Sequence, residues 1–512
     1  MTVQLQFTAG GVTAFGPFVG EDSAASVAVR SERWAAGSGV TLTALGVPLK
    51  RGQLLHTNIA NVSVWSNGVE IPAYVEAMGA YGDGSARVLY VQTSQTLTNG
   101  VSVLGEIRLT GGFTQARRTL VDQSASWVNT PGQVNTAWLT GGLPAGAIVP
   151  TSPKHLCESM YASKYATPAT APVFAGSATT QALFESTYTT VAKTNTSFPQ
   201  FGADYNAGQA FYARWAETAD TQYLKVAISH YTKMRTELFI PGFWQFPEQR
   251  NCWDDILQGT LLLRDTISLS ENLDKMINNQ AYLNSEIYTA TDSWSQTYFG
   301  ARGKSKILGA INFLLAAYPE GLTKVTSGVT SQVWAERWLA RSIEAPFWNG
   351  QVWGSPIDGP PYVPNGQVAV WQQMMMCRMI ILLCDSLPAS TLRTNALEAC
   401  ATNIAFCRTT YKQTSSYGRN IFAYYVDVGA PLPPVDDTNV DLNGFFPPMF
   451  AWRAWYKNSS VDADLARELY ATCGLPQGAG GGPFIQAGQM KQWSENFHAL
   501  PQTLYYLKLA GI

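Results

Sequence analysis

The sequence predicts an α+β chain of several domains: an antiparallel β barrel or sandwich over residues 1–125, an irregular bridging segment over 126–205, and a large all-α, (α/α) toroid-like domain over 206–512. Three observations carry this prediction. The chain has 512 residues, more than one ordinary core organises. Its hydrophobic pattern alternates in the first part and turns helical after about residue 206. Between the two lies a stretch rich in Pro, Gly, Ala, Ser and Thr.

In the first part, Val27 to Val29, Val40 to Leu45, Val62 to Trp65, Arg87 to Gln92 and Val101 to Leu109 are short β-branched or alternating runs, punctuated by Gly, Asn, Asp and Ser. Such spacing suits a small antiparallel barrel or sandwich. The bridging stretch includes Gly141-Gly142-Leu143-Pro144 and Thr167-Pro168-Ala169-Thr170-Ala171-Pro172, which read as irregular chain. Beyond it, Phe211, Tyr212 and Trp215 share a helical face. Thr218-Ala219-Asp220 then caps a turn, and Tyr223, Leu224, Ala227 and Tyr231 share a second face. Further helices are expected at 253–267, 271–283, 303–317, 331–344, 366–386, 390–410, 446–456, 461–473 and 492–509. Consecutive hairpins of this kind can bundle or close as a double ring. Loops carrying Trp and Gly at one end favour the ring, where they would line a concave face.

Composition narrows the function. Charged residues are 14% and aromatics 12%, which excludes a disordered chain. A net charge of -2 gives no electrostatic case for nucleic acid or anionic membrane as partner. The most apolar stretch, Val368 to Cys384, is broken by Gln372, Gln373 and Arg378, so a buried helix is expected and no membrane insertion. Met1 to Phe7 has no basic region and no long apolar run, so no signal peptide is expected. The seven cysteines form no CxxC pair. Cys377 and Cys384, and Cys400 and Cys407, sit in apolar patterns as core thiols would, which suits folding in a reducing cytoplasm.

Two segments carry a resemblance. Gly46-Val47-Pro48-Leu49-Lys50-Arg51-Gly52 and Asp83-Gly84-Ser85-Ala86-Arg87-Val88-Leu89, with Val69-Glu70-Ile71-Pro72-Ala73 between them, resemble the N-terminal β domain of exo-rhamnogalacturonan-lyase-like proteins. Tyr81 stands where that family typically has Trp, and Ala73-Tyr74 where Gln is common. The match covers about 60 residues, and in that family the domain is a scaffold. The later stretch Ala213 to Leu224 resembles the hairpin "helix, T-G-D-x-x-Y-L, helix" of toroidal polysaccharide lyases and glycoside hydrolases, with Ala219 in place of the glycine. No catalytic motif aligns, so no family residue role is carried over.

Chemistry on a polysaccharide needs particular groups. A lyase needs a base, an acid and a cation against the uronate carboxylate; a hydrolase needs two carboxyls roughly 5–9.5 Å apart. Glu495 and His498 are three residues apart and share a helical face after the Gly-rich run Gly478 to Gly482. Arg250 and Asp254 lie in the segment Phe243 to Asp255, where a loop enters a helix; Asp254 and Asp255 equally fit a helix start favoured by its dipole. His498, Glu495, Arg250 and Asp254 are therefore the candidate catalytic residues, and Trp244, Trp253, Trp353, Trp371 and Trp493 the candidate saccharide platforms. Asp437, Asn439 and Asp441 alternate like half a calcium loop. Counted from Asn439, Gly444 falls correctly at the sixth position, but the twelfth is Phe450 where a bidentate Glu is required, so an EF-hand is rejected. No cofactor is expected beyond that weak Ca²⁺ candidate. The chain has no GxGxxG in a strand-to-helix context, no GxxxxGK[ST], no GxSxG and no HExxH.

Low charge, abundant Ser, Thr, Asn, Gln and Gly, and a β module ahead of a sugar-enzyme-like region together look like a tailed-phage virion component, of the tail or a tail appendage. Expected partners are other virion proteins or further copies of the chain, and host surface polysaccharide. The alternative is an active lyase or hydrolase on an acidic polysaccharide.

Overall fold

The computed structural model describes residues 25–124, 143–160, 164–167, 169–187, 207–238, 253–270, 301–326, 328–345, 347–354, 367–423, 425–427, 429–435, 443–473 and 497–512. The architecture is α+β: a curled half-barrel sheet followed by a helical region.

The strands of the sheet are β1 (Ser26–Arg33), β2 (Ser38–Pro48), β3 (Ser63–Ser66), β4 (Val69–Ile71), β5 (Ala73–Ala80), β6 (Ala86–Thr98), β7 (Val103–Arg108) and β8 (Gly146–Pro150). They are ordered β4-β3-β7-β1-β8-β2-β6-β5. All pairings are antiparallel except the single parallel contact of β2 with β8 at Thr43 and Gly146. The sheet is therefore open, where a closed barrel or a sandwich is expected from the sequence. Its two edge strands are consecutive in the chain and separated only by Pro72. Proline has no N–H to donate to a ladder. The sheet must curl until its edges meet at that residue, but no ladder joins them.

Both faces of the central strands are covered. Leu89 and Val91 of β6 join Val27, Val47, Val64 and Ile107 in a core inside the curl. Val88 and Tyr90 point the other way, into the core shared with the helices. That is why β6 is buried at eight consecutive positions from Ala86, as strands sandwiched on both sides are. The stretch expected to be irregular contributes β8 between β1 and β2, and two helices, α1 (Pro153–Ser159) and α2 (Ser177–Thr187). Strand β8 is five residues long, too short for its period to declare itself. Helix α1 does carry a local signal: Ser152 caps it by accepting from the His155 N–H, and Pro153 opens it.

The later helices are α3 (Ala207–Thr218), α4 (Thr221–Leu238), α5 (Trp253–Leu263), α6 (Ala301–Ala317), α7 (Ser331–Ser342), α8 (Val370–Ser386), α9 (Thr391–Thr410), α10 (Phe446–Lys457), α11 (Ser460–Thr472) and α12 (Gln502–Leu509). The expected helix at 492–509 is realised over α12, and the one at 271–283 lies outside the described residues. Packing follows chain order: α3 on α4, α4 on α5, α5 on α6, α6 on α8, α8 on α9, α9 on α10, and α10 on α11. Helix α11 then packs on α2. Thr180 donates to the Tyr470 carbonyl at 2.6 Å, and Arg214 of α3 pairs with Glu185 of α2 at 2.5 Å.

Glycine seats the helices on the sheet. A Cβ on Gly46 would lie 2.8 Å from the Leu261 carbonyl oxygen, so α5 can rest directly on β2. Ala219, in the α3–α4 turn, has φ of 55°, the left-handed conformation in which glycine is the favoured residue. Arg30 of β1 donates to its carbonyl at 2.8 Å and ties that turn to the sheet. Cys377, Cys384, Cys400 and Cys407 are buried and free. Among the described residues, no helix is long and apolar enough to cross a membrane.

Candidate functional site

Helix α5 begins with Trp253, Asp254 and Asp255, all buried. Carboxylates are favoured in a first turn by the helix dipole, but these two also have individual partners. Asp254 Oδ2 accepts from Arg378 Nη2 at 3.0 Å, with both side chains almost fully buried. Asp255 Oδ2 accepts from the Gly208 N–H at 3.0 Å and lies 3.5 Å from His230 Nδ1. Burial first, and then the charge of Asp254, push the Asp255 carboxyl well above the usual carboxylate range. Successive helical residues point about 100° apart. The two carboxyls therefore have separate hydrogen-bond partners.

Arg378 is carried by α8 beside Met375 and Met379, and Lys306 by α6 beside Ser305 and Gly309. Phe445, from the turn before α10, meets His498 edge to face, with ring centroids 5.4 Å apart. Trp253 packs on Phe313 at 5.6 Å and against Gly309, whose missing side chain leaves room for the indole. These pieces line one cavity, in which Trp253, Asp254, Lys306, Arg378 and His498 meet. The cavity is about 20 Å³, room for roughly one water.

Of the sequence-predicted residues, the structure thus brings Trp253, Asp254 and His498 together. Trp371 is buried and packs on Phe445 at 6.1 Å. Trp353 does not line the cavity. It is fully buried against Trp348, its indole donates to the Ser342 carbonyl at 2.7 Å, and Gln373 holds its main chain through two hydrogen bonds of 2.9 Å. Its role is packing, which corrects its reading as a saccharide platform. Arg250, Glu495, Trp244 and Trp493, and the calcium candidates Asp437, Asn439 and Asp441, lie outside the described residues. Among the described residues, no three His, Cys, Asp or Glu side chains cluster as metal ligands.

Sequence reasoning did not assign Arg378 and Lys306 to the site. Arg378 did leave a signal: a cation inside the most apolar stretch of the chain must find a carboxylate. Lys306 left none. No family model, curated protein or solved structure matches the chain.

Proposed function

We propose that the chain is a structural component of a bacteriophage virion, in the tail or a tail appendage, folded in the host cytoplasm. Its helical region is an (α/α) toroid of carbohydrate-active-enzyme type, and it contacts host surface polysaccharide by binding, without turnover. Its partners are other virion proteins or further copies of itself. The toroid reading is supported by helices that pack in chain order, with α11 returning to α2.

The observation that carries binding over catalysis is the state of the Asp254 cavity. Its carboxylate is already engaged by Arg378, and its volume of about 20 Å³ admits a water and no sugar ring. An active lyase is the second reading, favoured by the convergence of an imidazole, a carboxylate and two cations drawn from distant parts of the chain.

The test is paired. Purified particles are assayed for the chain at a fixed copy number, and host polysaccharide is incubated with the protein and assayed for unsaturated or reducing ends. Particle association with no released ends is the expected result. Absence from particles overturns the virion reading. Released ends that disappear in His498→Ala or Glu495→Gln overturn the binding-only reading in favour of the lyase.

A further inference from the structure

The Asp254 cavity makes no use of the two N-terminal motifs, yet the fold brings those motifs together elsewhere. The Gly52 N–H donates to Ser85 Oγ at 2.8 Å, the Leu49 N–H to the Arg87 carbonyl at 2.8 Å, and Arg51 pairs with Asp83 at 3.2 Å. The Tyr81 hydroxyl donates to the Leu49 carbonyl at 2.9 Å. Three residues of this unit, Arg51, Tyr81 and Arg87, form one wall of a cleft of about 430 Å³ between the sheet and the helices. The volume falls within the range of roughly 300–1,000 Å³ that small-molecule sites occupy.

The opposite wall comes from Asp385 and Ser386 at the end of α8, Arg393 of α9, Trp452 and Trp455 of α10, and Tyr505 and Tyr506 of α12. Lys164 also lines the cleft. Among the described residues, four cations thus face a cleft with one carboxylate, Asp385. Arg51 is paired with Asp83, while Lys164 and Arg393 lean on neutral acceptors. Arg87 donates to the Ala80 carbonyl at 2.6 Å and lies 4.4 Å over the Tyr81 ring. Lys164 donates to the Glu158 carbonyl at 2.8 Å, and Arg393 to the Leu387 carbonyl at 3.2 Å. Carbonyls and ring faces orient a cation without cancelling its charge.

Aromatic area supplies the other half of the recognition. Trp455 is 44% exposed and stacks on Tyr506 with centroids 6.3 Å apart. The apolar C–H face of a pyranose lies well against such a ring, and a carboxylate on that pyranose would meet the guanidinium and ammonium groups. We propose that this junction cleft is a binding site for an acidic saccharide, a hexuronate unit whose ring meets the Trp455 side and whose carboxylate meets Arg87, Lys164 and Arg393. The proposal rests on the saccharide-contact half of the reading above and names its site and ligand class. A single strand of nucleic acid also combines stacking with anionic groups, but the site is a bounded cleft in a chain with a net charge of -2.

The full chain is titrated calorimetrically with trigalacturonate, and separately with galactotriose, sodium sulfate and a hexathymidine oligonucleotide. Trigalacturonate is expected to bind saturably and roughly tenfold or more tighter than each of the other three. Trp455→Ala and Lys164→Met should each weaken it by about tenfold with an unchanged melting curve, and Lys164→Arg should restore most of the affinity. Equal affinity for galactotriose, sulfate or the oligonucleotide overturns the proposal, as does absence of binding or indifference to both variants. The virion reading is judged separately, by copy number in particles, so failure here leaves that result intact.

Discussion

Among the described residues, two of the places where charged and aromatic side chains from distant segments converge are built on opposite principles. Around Asp254 the ionisable groups are buried and accounted for inside the protein: Asp254 is paired with Arg378, and Asp255 accepts from the Gly208 N–H while burial disfavours its charge. The space left over is about 20 Å³. At the junction of sheet and helices the cations outnumber the carboxylate, Lys164 and Arg393 lean on backbone carbonyls, and about 430 Å³ stands open. A converged cluster of ionisable residues is thus a poor guide to a site by itself. What separates a structural network from a recognition surface is whether the charge is already answered inside the protein.

Removing one member of the filled network should do the most damage. Arg378→Ala leaves the buried Asp254 carboxyl without its cation, and should cost about 3–5 kcal/mol of stability. Chemical denaturation measures this directly. A loss below about 1 kcal/mol would mean that the Asp254 cavity is wet and open, and the contrast between the two places would fail.

Asp255 sharpens the same contrast through pH. Its folded carboxyl titrates above its unfolded value because burial and Asp254 disfavour the charge. The folded state therefore holds a proton that the unfolded state has lost. This contribution is complete below the unfolded value near 4, and stability falls as pH rises from there towards the folded value. Asp255→Asn keeps an oxygen to accept from Gly208 and removes the ionisation. Denaturation at pH 5 and pH 8 should show the variant losing less stability than the parent across that interval. Parallel losses would place the titration elsewhere in the chain.

The two places also differ in how far the sequence discloses them. The helix bearing Arg378 is legible from its apolar run, but nothing local points to Asp254 as the partner of its cation. Trp353 misled because an aromatic flanked by glycines and prolines reads as a surface platform; its burial depends on Gln373, supplied by another segment. Strand β8 was lost among small residues, and it pairs because β1 and β2 stand open on either side. The junction cleft was invisible for a different reason. Its motifs were recognisable as part of a β domain, but Arg87 meets its opposite wall at Ser386, 299 residues further on. Periodicity reports which face of an element is buried, and it carries no information about which distant element covers that face.

The smallest expected effect concerns the open cleft, and it tests whether the charge there is free to respond. Burial, and then repulsion from Arg87, bring the Lys164 ammonium down to about 8; Asp385 and Glu158 oppose that shift, and Arg51 adds to it. An anion binds best while Lys164 is protonated, so affinity for trigalacturonate should weaken by roughly threefold to tenfold as pH rises from 7 to 9.5. Asp385, whose carboxyl burial raises, opposes the ligand once ionised and so cannot mask the decline. Lys164→Arg separates the two contributions, because arginine keeps its charge throughout this range. Titration calorimetry at the two pH values should find the variant's affinity nearly constant. If the parent is equally flat, Lys164 does not meet the ligand's charge, and the cleft binds by its aromatic wall alone.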